Sequence, residues 1–340
     1  GLTDVLLLSG LGNKLFLNQG NGQFTDITQQ AGLDWRRSDG FAGEPRQPII
    51  ADFDNDGLQD IFISYVNDSH RLYRNIGNNQ FIDVTEKAGL GGKDLVGGPA
   101  VAFDYDNDGL LDIYITYFGD YLHGTLPTLA RRNTNGLANK LLHNQGNFQF
   151  TDASANSGIE NTGWGQAAAH TDLDRDGWQD IIVGNDFGVN AYYRNKGDGS
   201  FENVADKLGT DKPSYTMNVG ISDLNKDLFP DIYISNIVTM NKDEKYVTPN
   251  QDMQMKFNPE KLANMRVVEA NDLFISQAKN GALNHYNPST MVDRGYSSTG
   301  WSWGADFFDV DNDGDDDLYV ANGMNDFNLY SNENPYYTDP

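Results

Sequence analysis

A nine-residue pattern, D-x-[DN]-x-D-[GL]-x-x-D, occurs five times in this chain, at Asp52–Asp60, Asp104–Asp112, Asp172–Asp180, Asp223–Asp231 and Asp309–Asp317. Carboxylates at positions one, three, five and nine of a tight loop can converge on one point. A glycine at position six lets the backbone turn sharply, and the carbonyl at position seven then faces the same point. The donors so predicted are Asp52, Asp54, Asp56, Leu58 and Asp60 in the first copy, and Asp104, Asp106, Asp108, Leu110 and Asp112 in the second. They are Asp172, Asp174, Asp176, Trp178 and Asp180 in the third, and Asp223, Asn225, Asp227, Phe229 and Asp231 in the fourth. The fifth offers Asp309, Asp311, Asp313, Asp315 and Asp317. Such an all-oxygen, anionic and flexible cage suits Ca²⁺, which takes about six to eight oxygens, better than Mg²⁺, which keeps its waters. No Cys or His lies within any copy, which disfavours soft or imidazole-preferring metals. Up to five Ca²⁺ ions are expected. The fourth copy should bind more weakly, because Asn225 removes a charge and Leu228 stands where the others have glycine.

An EF-hand needs a Glu at position twelve and flanking helices. Position twelve here is Ile63, Ile115, Val183, Ile234 or Val320, each inside a β-type apolar run. Plain solvated Asp/Gly turns are the other reading. Five copies in register argue against it, as does the repulsion among unpaired carboxylates a few ångströms apart.

What surrounds the copies also repeats. Their first aspartates are 52, 68, 51 and 86 residues apart, two spacings near fifty and two that look lengthened by insertions. After each copy comes an apolar run: Ile61–Tyr65, Ile113–Tyr117, Ile181–Gly184, Ile232–Ser235 and Leu318–Ala321. Next come Leu72–Asn75 and its echoes Leu15–Asn18, Leu141–Asn144 and Tyr192–Asn195. Gly/Asn turns lead on to Phe24–Asp26, Phe81–Asp83, Phe150–Asp152 and Phe201–Asn203. The unit reads as four short strands, with the acidic loop joining the first two.

Four strands per ~50 residues, repeated radially, make the blade of an all-β propeller. Stacked blades bury each other's faces, which accommodates a hydrophobic content of only 38%. Six blades are expected, near 4–28, 47–85, 99–154, 166–205, 217–287 and 303–332, the first and last incomplete and the full ring having seven. The chain reads as one domain, 1–340, and as a piece of a longer protein. Gly1–Asp4 aligns with the end of an acidic loop, and Asn328–Asn332 looks like a third strand with no fourth after it. Insertions at 119–138 and 237–271 fall between second and third strands. The second contains Asn258-Pro259-Glu260, a helix start predicting a helix to about Ala270.

The net charge of -25 argues against nucleic acid and anionic membranes as partners. The absence of cysteine excludes disulfides, thiolate metal sites and a Cys nucleophile. No apolar run reaches the ~18 residues of a membrane span. The five histidines, His70, His123, His143, His170 and His285, form no H-x-x-x-H pair or nucleophile elbow. His143 aligns with Arg74 and Arg194 and reads as an ordinary strand residue. His170, on a first strand, is the one candidate for the central channel. Trp35, Trp164, Trp301 and Trp303 could stack on sugars, though packing between blades is favoured.

These motifs resemble the FG-GAP/VCBS repeat proteins, with calcium loops like those of the integrin α-subunit propeller. The resemblance is nearest to bacterial relatives of cartilage acidic protein, which carry an ASPIC/UnbV segment not visible here. It rests on the five acidic loops, the Leu72–Asn75-type strands and Ser298–Gly304 leading into Ala305–Asp309. It implies secretion, calcium-dependent folding and roles in adhesion or surface assembly. The chain is expected to be an extracellular, cell-surface or periplasmic adhesion or scaffold module, not an enzyme, binding protein or glycan. A carbohydrate-binding or polysaccharide-degrading propeller, and a self-assembling subunit of an extracellular fibre, are the alternatives.

Overall fold

The computed structural model describes residues 2–128, 132–237, 271–288 and 302–322. The described chain forms six antiparallel sheets in sequence order. The first holds β1 (Val5–Leu7), β2 (Lys14–Gly20) and β3 (Gln23–Asp26). The second runs β4 (Glu44–Ala51), β5 (Asp60–Val66), β6 (Arg71–Asn75), β7 (Phe81–Asp83). The third holds β8 (Gly97–Phe103), β9 (Asp112–Tyr117), β10 (Lys140–Asn144) and β11 (Phe150–Asp152). The fourth comprises β12 (Gly165–Thr171), β13 (Asp180–Asn185), β14 (Ala191–Asn195) and β15 (Phe201–Asn203). The fifth is β16 (Thr216–Ser222), β17 (Asp231–Asn236), β18 (Asp272–Lys279) and β19 (Ala282–Pro288). The sixth shows β20 (Ser302–Phe308) and β21 (Asp317–Asn322). Within each four-stranded sheet the strands pair in chain order, a meander.

The architecture is a β-propeller. The first strands β4, β8, β12, β16 and β20 lie against one another in succession, as inner strands of neighbouring blades do. The core is divided among the gaps between sheets. Phe53, Phe62 and Leu72 of the second sheet pack with Ile113, Ile115 and Leu142 of the third. Phe103, Tyr114 and Leu141 of the third meet Ile181, Val183 and Tyr193 of the fourth, and Ile182 and Tyr192 meet Ile232 and Phe274 of the fifth. The second strand of a blade is covered on both faces, so β5, β9, β13 and β17 are buried along their whole length. Their Ile-, Val- and Tyr-rich runs follow from that double cover.

Each Ala-Gly-Leu exit has a structural reason. After β3, β7 and β15 the chain makes one helical turn, α1 (Thr28–Ala31), α2 (Thr85–Ala88) and α3 (Ala205–Leu208). A left-handed glycine ends each turn, and Leu33 and Leu90 then enter the core at 2% exposure. Gly32 shows why glycine is required: its φ is 79°, and a Cβ there would sit 2.6 Å from the Phe81 carbonyl oxygen of the next blade.

The acidic loops join first to second strands, so they emerge at one end of the sheets. The insertion after β9 emerges at the other. Its described residues, 119–128 and 132–138, make a 3-10 turn at Tyr121–His123 and lean on the next blade, where Asn133 N–H and Nδ2 donate to the Phe187 carbonyl. Residues 238–270, with the helix expected at Asn258–Ala270, lie outside the described residues, as do Trp301 and Asn328–Asn332. The turn before each third strand is tied by one side chain. Asn139, Asn190 and Asn271 each accept the N–H that ends the preceding second strand, at 2.8 Å. His70 does the same through Nδ1 at 3.1 Å, and burial pushes its pKa down to about 4, so it is a neutral core residue.

Candidate metal centres

The five acidic loops share one hydrogen-bond scheme. The position-one carboxylate caps the loop: Asp52 Oδ1 accepts from Asp56 N–H at 3.1 Å and Oδ2 from Gly57 N–H at 2.8 Å. Asp104, Asp172, Asp223 and Asp309 repeat this. The position-five carboxylate accepts the N–H of position seven in every copy. The backbone takes a left-handed conformation twice in each loop, at positions four and six. Glycine accepts that at position six in four loops. Leu228 adopts it at φ 74° in the fourth.

The position-nine aspartate locks the loop to the blade. Asp60 Oδ2 accepts from Phe53 N–H at 3.0 Å, and Oδ1 from Asn75 N–H of the third strand at 2.8 Å. Asp112, Asp180 and Asp231 make the same pair of contacts and, like Asp60, are 0% exposed. Asp4 stands in this register too, accepting from Asn18 N–H at 2.8 Å. Burial holds these carboxyls up against the pull of their N–H donors: Asp60 and Asp112 reach about 6 and Asp180 about 7.

Position three is where the scheme leaves something over. Asp54 Oδ1, Asp106 Oδ1 and Asp174 Oδ1 are buried and have no hydrogen-bond partner. Burying an unpaired carboxylate oxygen costs free energy unless a cation meets it. Carboxylate oxygens of Asp52, Asp54 and Asp60 lie within 4.8 Å of one another, as do those of Asp172, Asp174 and Asp180, of Asp104, Asp106 and Asp108, and of Asp309, Asp311 and Asp317. In the Asp52, Asp172 and Asp309 loops the grouped donors are all hard oxygens, so those residues fit Ca²⁺. In the Asp309 loop Asp317 is exposed where its counterparts are buried.

The Asp223 loop is built differently. Asn225 Nδ2 donates to Asp227 Oδ2 at 3.2 Å and to Ser276 Oγ and its carbonyl at 3.1 Å. Ser276 Oγ donates in turn to Asp227 Oδ1 at 3.0 Å. Hydrogens from an amide and a hydroxyl fill the space that a carboxylate rims elsewhere.

Two sets of residues went unassigned in the sequence reading. One is the third-strand side chain before the recurrent Asn. Arg74 Nη2 lies 3.0 Å from both Asp54 Oδ2 and Asp56 Oδ2, and Arg194 Nε lies 3.6 Å from Asp174 Oδ2. His143, read as an ordinary strand residue, reaches into the Asp104 loop: its Nδ1 is 3.1 Å from Asp112 Oδ1 and 3.4 Å from Asp106 Oδ2. The expectation that no histidine enters a loop therefore needs correction. It holds within each nine-residue copy and fails in space, because the third strand lies beside the loop. The other set is the Asn itself. Asn144 Nδ2 donates to the Phe53 carbonyl of the preceding blade's loop at 2.9 Å, and Asn195 Nδ2 to that of Tyr105 at 2.8 Å. The repeated [Arg/His]-Asn pair was the available signal.

The remaining candidates are packing residues. His170 stacks on Phe103 at 4.9 Å and meets Gln179 Oε1 at 2.9 Å. Trp164 is buried at 2% exposure among Phe118 and Phe187, and its Nε1 donates to Asn135 Oδ1. Trp35 packs on Tyr65 with Arg71 over its ring at 3.8 Å. Trp303 is the exception among the described candidates, at 47% exposure. No helix among the described residues is long and apolar enough to cross a membrane.

Comparison with known proteins gives three findings. The FG-GAP-like repeat matches residues 1–63, 52–115 and 172–234, together just over half the chain. Cartilage acidic protein 1 of Mus musculus is 30% identical over 179 residues, and that of Xenopus tropicalis 32% over 178. Each alignment covers 50% of this chain and 24% of the relative, so the match spans about a quarter of those proteins. Among solved structures, an Agrocybe aegerita lectin, described as recognising non-reducing terminal N-acetylglucosamine, superposes with a TM-score of 0.52. It is 17% identical, and the match covers 93% of this chain and 70% of the lectin, a likeness of fold.

Proposed function

This chain belongs to the FG-GAP-like repeat family, and from that premise we propose that it is a calcium-dependent binding module that works outside the cell. The observation that carries this reading is the set of buried, unpartnered position-three oxygens in three successive loops. Asp52, Asp54, Asp56 and Asp60 hold the ion in the first of these loops, with the Leu58 carbonyl, and the corresponding residues do so in the others. The bound ion supplies positive charge where buried carboxylates converge, and so couples loop order to blade order. Its role is structural, since each loop offers most of a coordination sphere and leaves little of it open.

Recognition then falls to the opposite end of the sheets, where the insertion at 119–138 emerges on a rigid scaffold. At Trp35 and Trp164 a protein partner is favoured over a glycan, because both are engaged in packing and neither is free to stack on a sugar ring. Likeness to cartilage acidic protein 1 supports an extracellular setting. Binding without turnover is favoured because the conspicuous carboxylates are occupied in holding loops. The test is calorimetric melting in EDTA and in excess Ca²⁺. Chelation should lower the melting temperature by about 10 °C or more, reversibly. Identical melting in both, with no Ca²⁺ uptake, would refute the proposal.

A further inference from the structure

We propose that the Asp104 loop is a mixed carboxylate–imidazole centre in which His143 is a metal ligand, and that it prefers an imidazole-accepting ion such as Mn²⁺ or Zn²⁺ to Ca²⁺. This rests on the reading that the loops hold divalent cations, and concerns what distinguishes one of them.

The distinction lies at a single third-strand position. In the Asp52 and Asp172 loops it holds Arg74 and Arg194, whose guanidinium groups lie against the position-three carboxylates. Arginine has no lone pair to give and stays charged, so it can only compete with a metal. In the Asp104 loop the position holds His143, a nitrogen donor once Nδ1 is free of its proton. Its Nδ1 faces Asp112 Oδ1 at 3.1 Å and Asp106 Oδ2 at 3.4 Å, and the three ligand atoms form one compact group. Adjacent ligands around a six-coordinate ion with bonds of about 2.1 Å sit about 3.0 Å apart, close to these separations.

Two further observations point the same way. Asp106 Oδ1, the other oxygen of the carboxylate that faces His143, is buried without a hydrogen-bond partner. The ring of Tyr105 meets His143 edge-on at 5.7 Å and 83°, which holds the imidazole in its orientation. Imidazole beside carboxylate shifts preference from calcium to the transition series, where affinity rises from Mn²⁺ toward Zn²⁺. The three other loops whose third strand is described offer no nitrogen ligand of this kind: two have arginine, and the Asp223 loop has Ile275 in the same register.

The experiment uses the full chain, stripped with chelator, reloaded with excess Ca²⁺ and given one equivalent of Mn²⁺. The probe is pulsed electron paramagnetic resonance, which detects ¹⁴N bound to Mn²⁺. Retained Mn²⁺ with one nitrogen coupling is expected. His143→Arg, which copies the neighbouring blades and should fold as they do, is expected to lose the coupling and weaken Mn²⁺ binding about tenfold or more. Arg74→His should add a second nitrogen-coupled site. A Mn²⁺ signal with no nitrogen coupling overturns the proposal, and so does coupling that survives His143→Gln, which would assign it to another histidine. Ca²⁺ uptake is measured on the same samples. If it is normal and the nitrogen is absent, this inference alone fails; if no Ca²⁺ binds, the broader reading fails with it.

Discussion

The Asp54 and Asn225 loops have nearly the same backbone and opposite chemistry at their centres. In the first, position three presents a buried oxygen that nothing meets, with Arg74 at the rim. In the second, position three presents an amide that donates to Asp227 and Ser276. Both keep the position-one cap, the position-nine lock and the left-handed turns. The fold of such a loop therefore needs only backbone N–H groups and the three aspartates at positions one, five and nine. The carboxylate at position three is surplus to folding and is explained by a ligand.

Disabling one loop of each kind should give the largest effect. Asp104→Ala removes a cap and an ion ligand and should cost about 3 kcal/mol or more in Ca²⁺, whereas Asp223→Ala should cost about 1–2 kcal/mol. Denaturant titration of both, with and without EDTA, checks this. The two costs should converge in EDTA, and equal costs in Ca²⁺ would break the comparison.

A pH series sharpens it next. The folded carboxyls of Asp60 and Asp112 sit at about 6 and that of Asp180 at about 7, against an ordinary value of 3.8. The metal-free folded state thus holds protons that the unfolded chain has lost. Its stability from these groups is present at low pH and falls as pH rises from about 4 through 6–7. With Ca²⁺ the sign reverses, because the ion requires ionised oxygens. Melting temperatures near about pH 5 and pH 8 should move in opposite directions in EDTA and in Ca²⁺.

Conversion of the Asn225 loop is a smaller effect in the opposite sense. Leu228→Gly relieves a left-handed leucine, worth about 1 kcal/mol, and Asn225→Asp restores the acid. Together they should add one Ca²⁺ equivalent by equilibrium dialysis; no added ion would mean that Ser276 closes the site by itself. The smallest change expected is in Arg74→Ala. Removing a competing cation should tighten Ca²⁺ binding at the Asp52 loop a few-fold, read by competition with a fluorescent chelator.

The propeller and its acidic loops were legible because both are local patterns. The apolar run Ile61–Tyr65, the Phe-x-Asp strands and the aspartate spacing each lie within about ten residues, and the structure puts strands where the first two fall. What could not be read was contact across strands and blades. His143 is 31 residues from Asp112 in sequence, and Asn144 is 91 from Phe53, yet each pair is hydrogen-bonded. The [Arg/His]-Asn repeat was visible as a pattern. Its meaning needed the knowledge that a third strand lies beside its own loop and reaches the loop of the blade before. The tryptophans posed the reverse difficulty, since composition suggests sugar platforms and packing closes Trp164 off.

The central claim is that metal ions, not protein hydrogens, meet Asp54 Oδ1, Asp106 Oδ1 and Asp174 Oδ1. A crystal of the full chain grown in Ca²⁺, with anomalous data collected where calcium scatters, tests it directly. The account predicts an anomalous peak within bonding distance of each of those three oxygens, with Arg74 and Arg194 swung outward. Loops without peaks, those at Asp54 and Asp174 still closed over by Arg74 and Arg194, would contradict it.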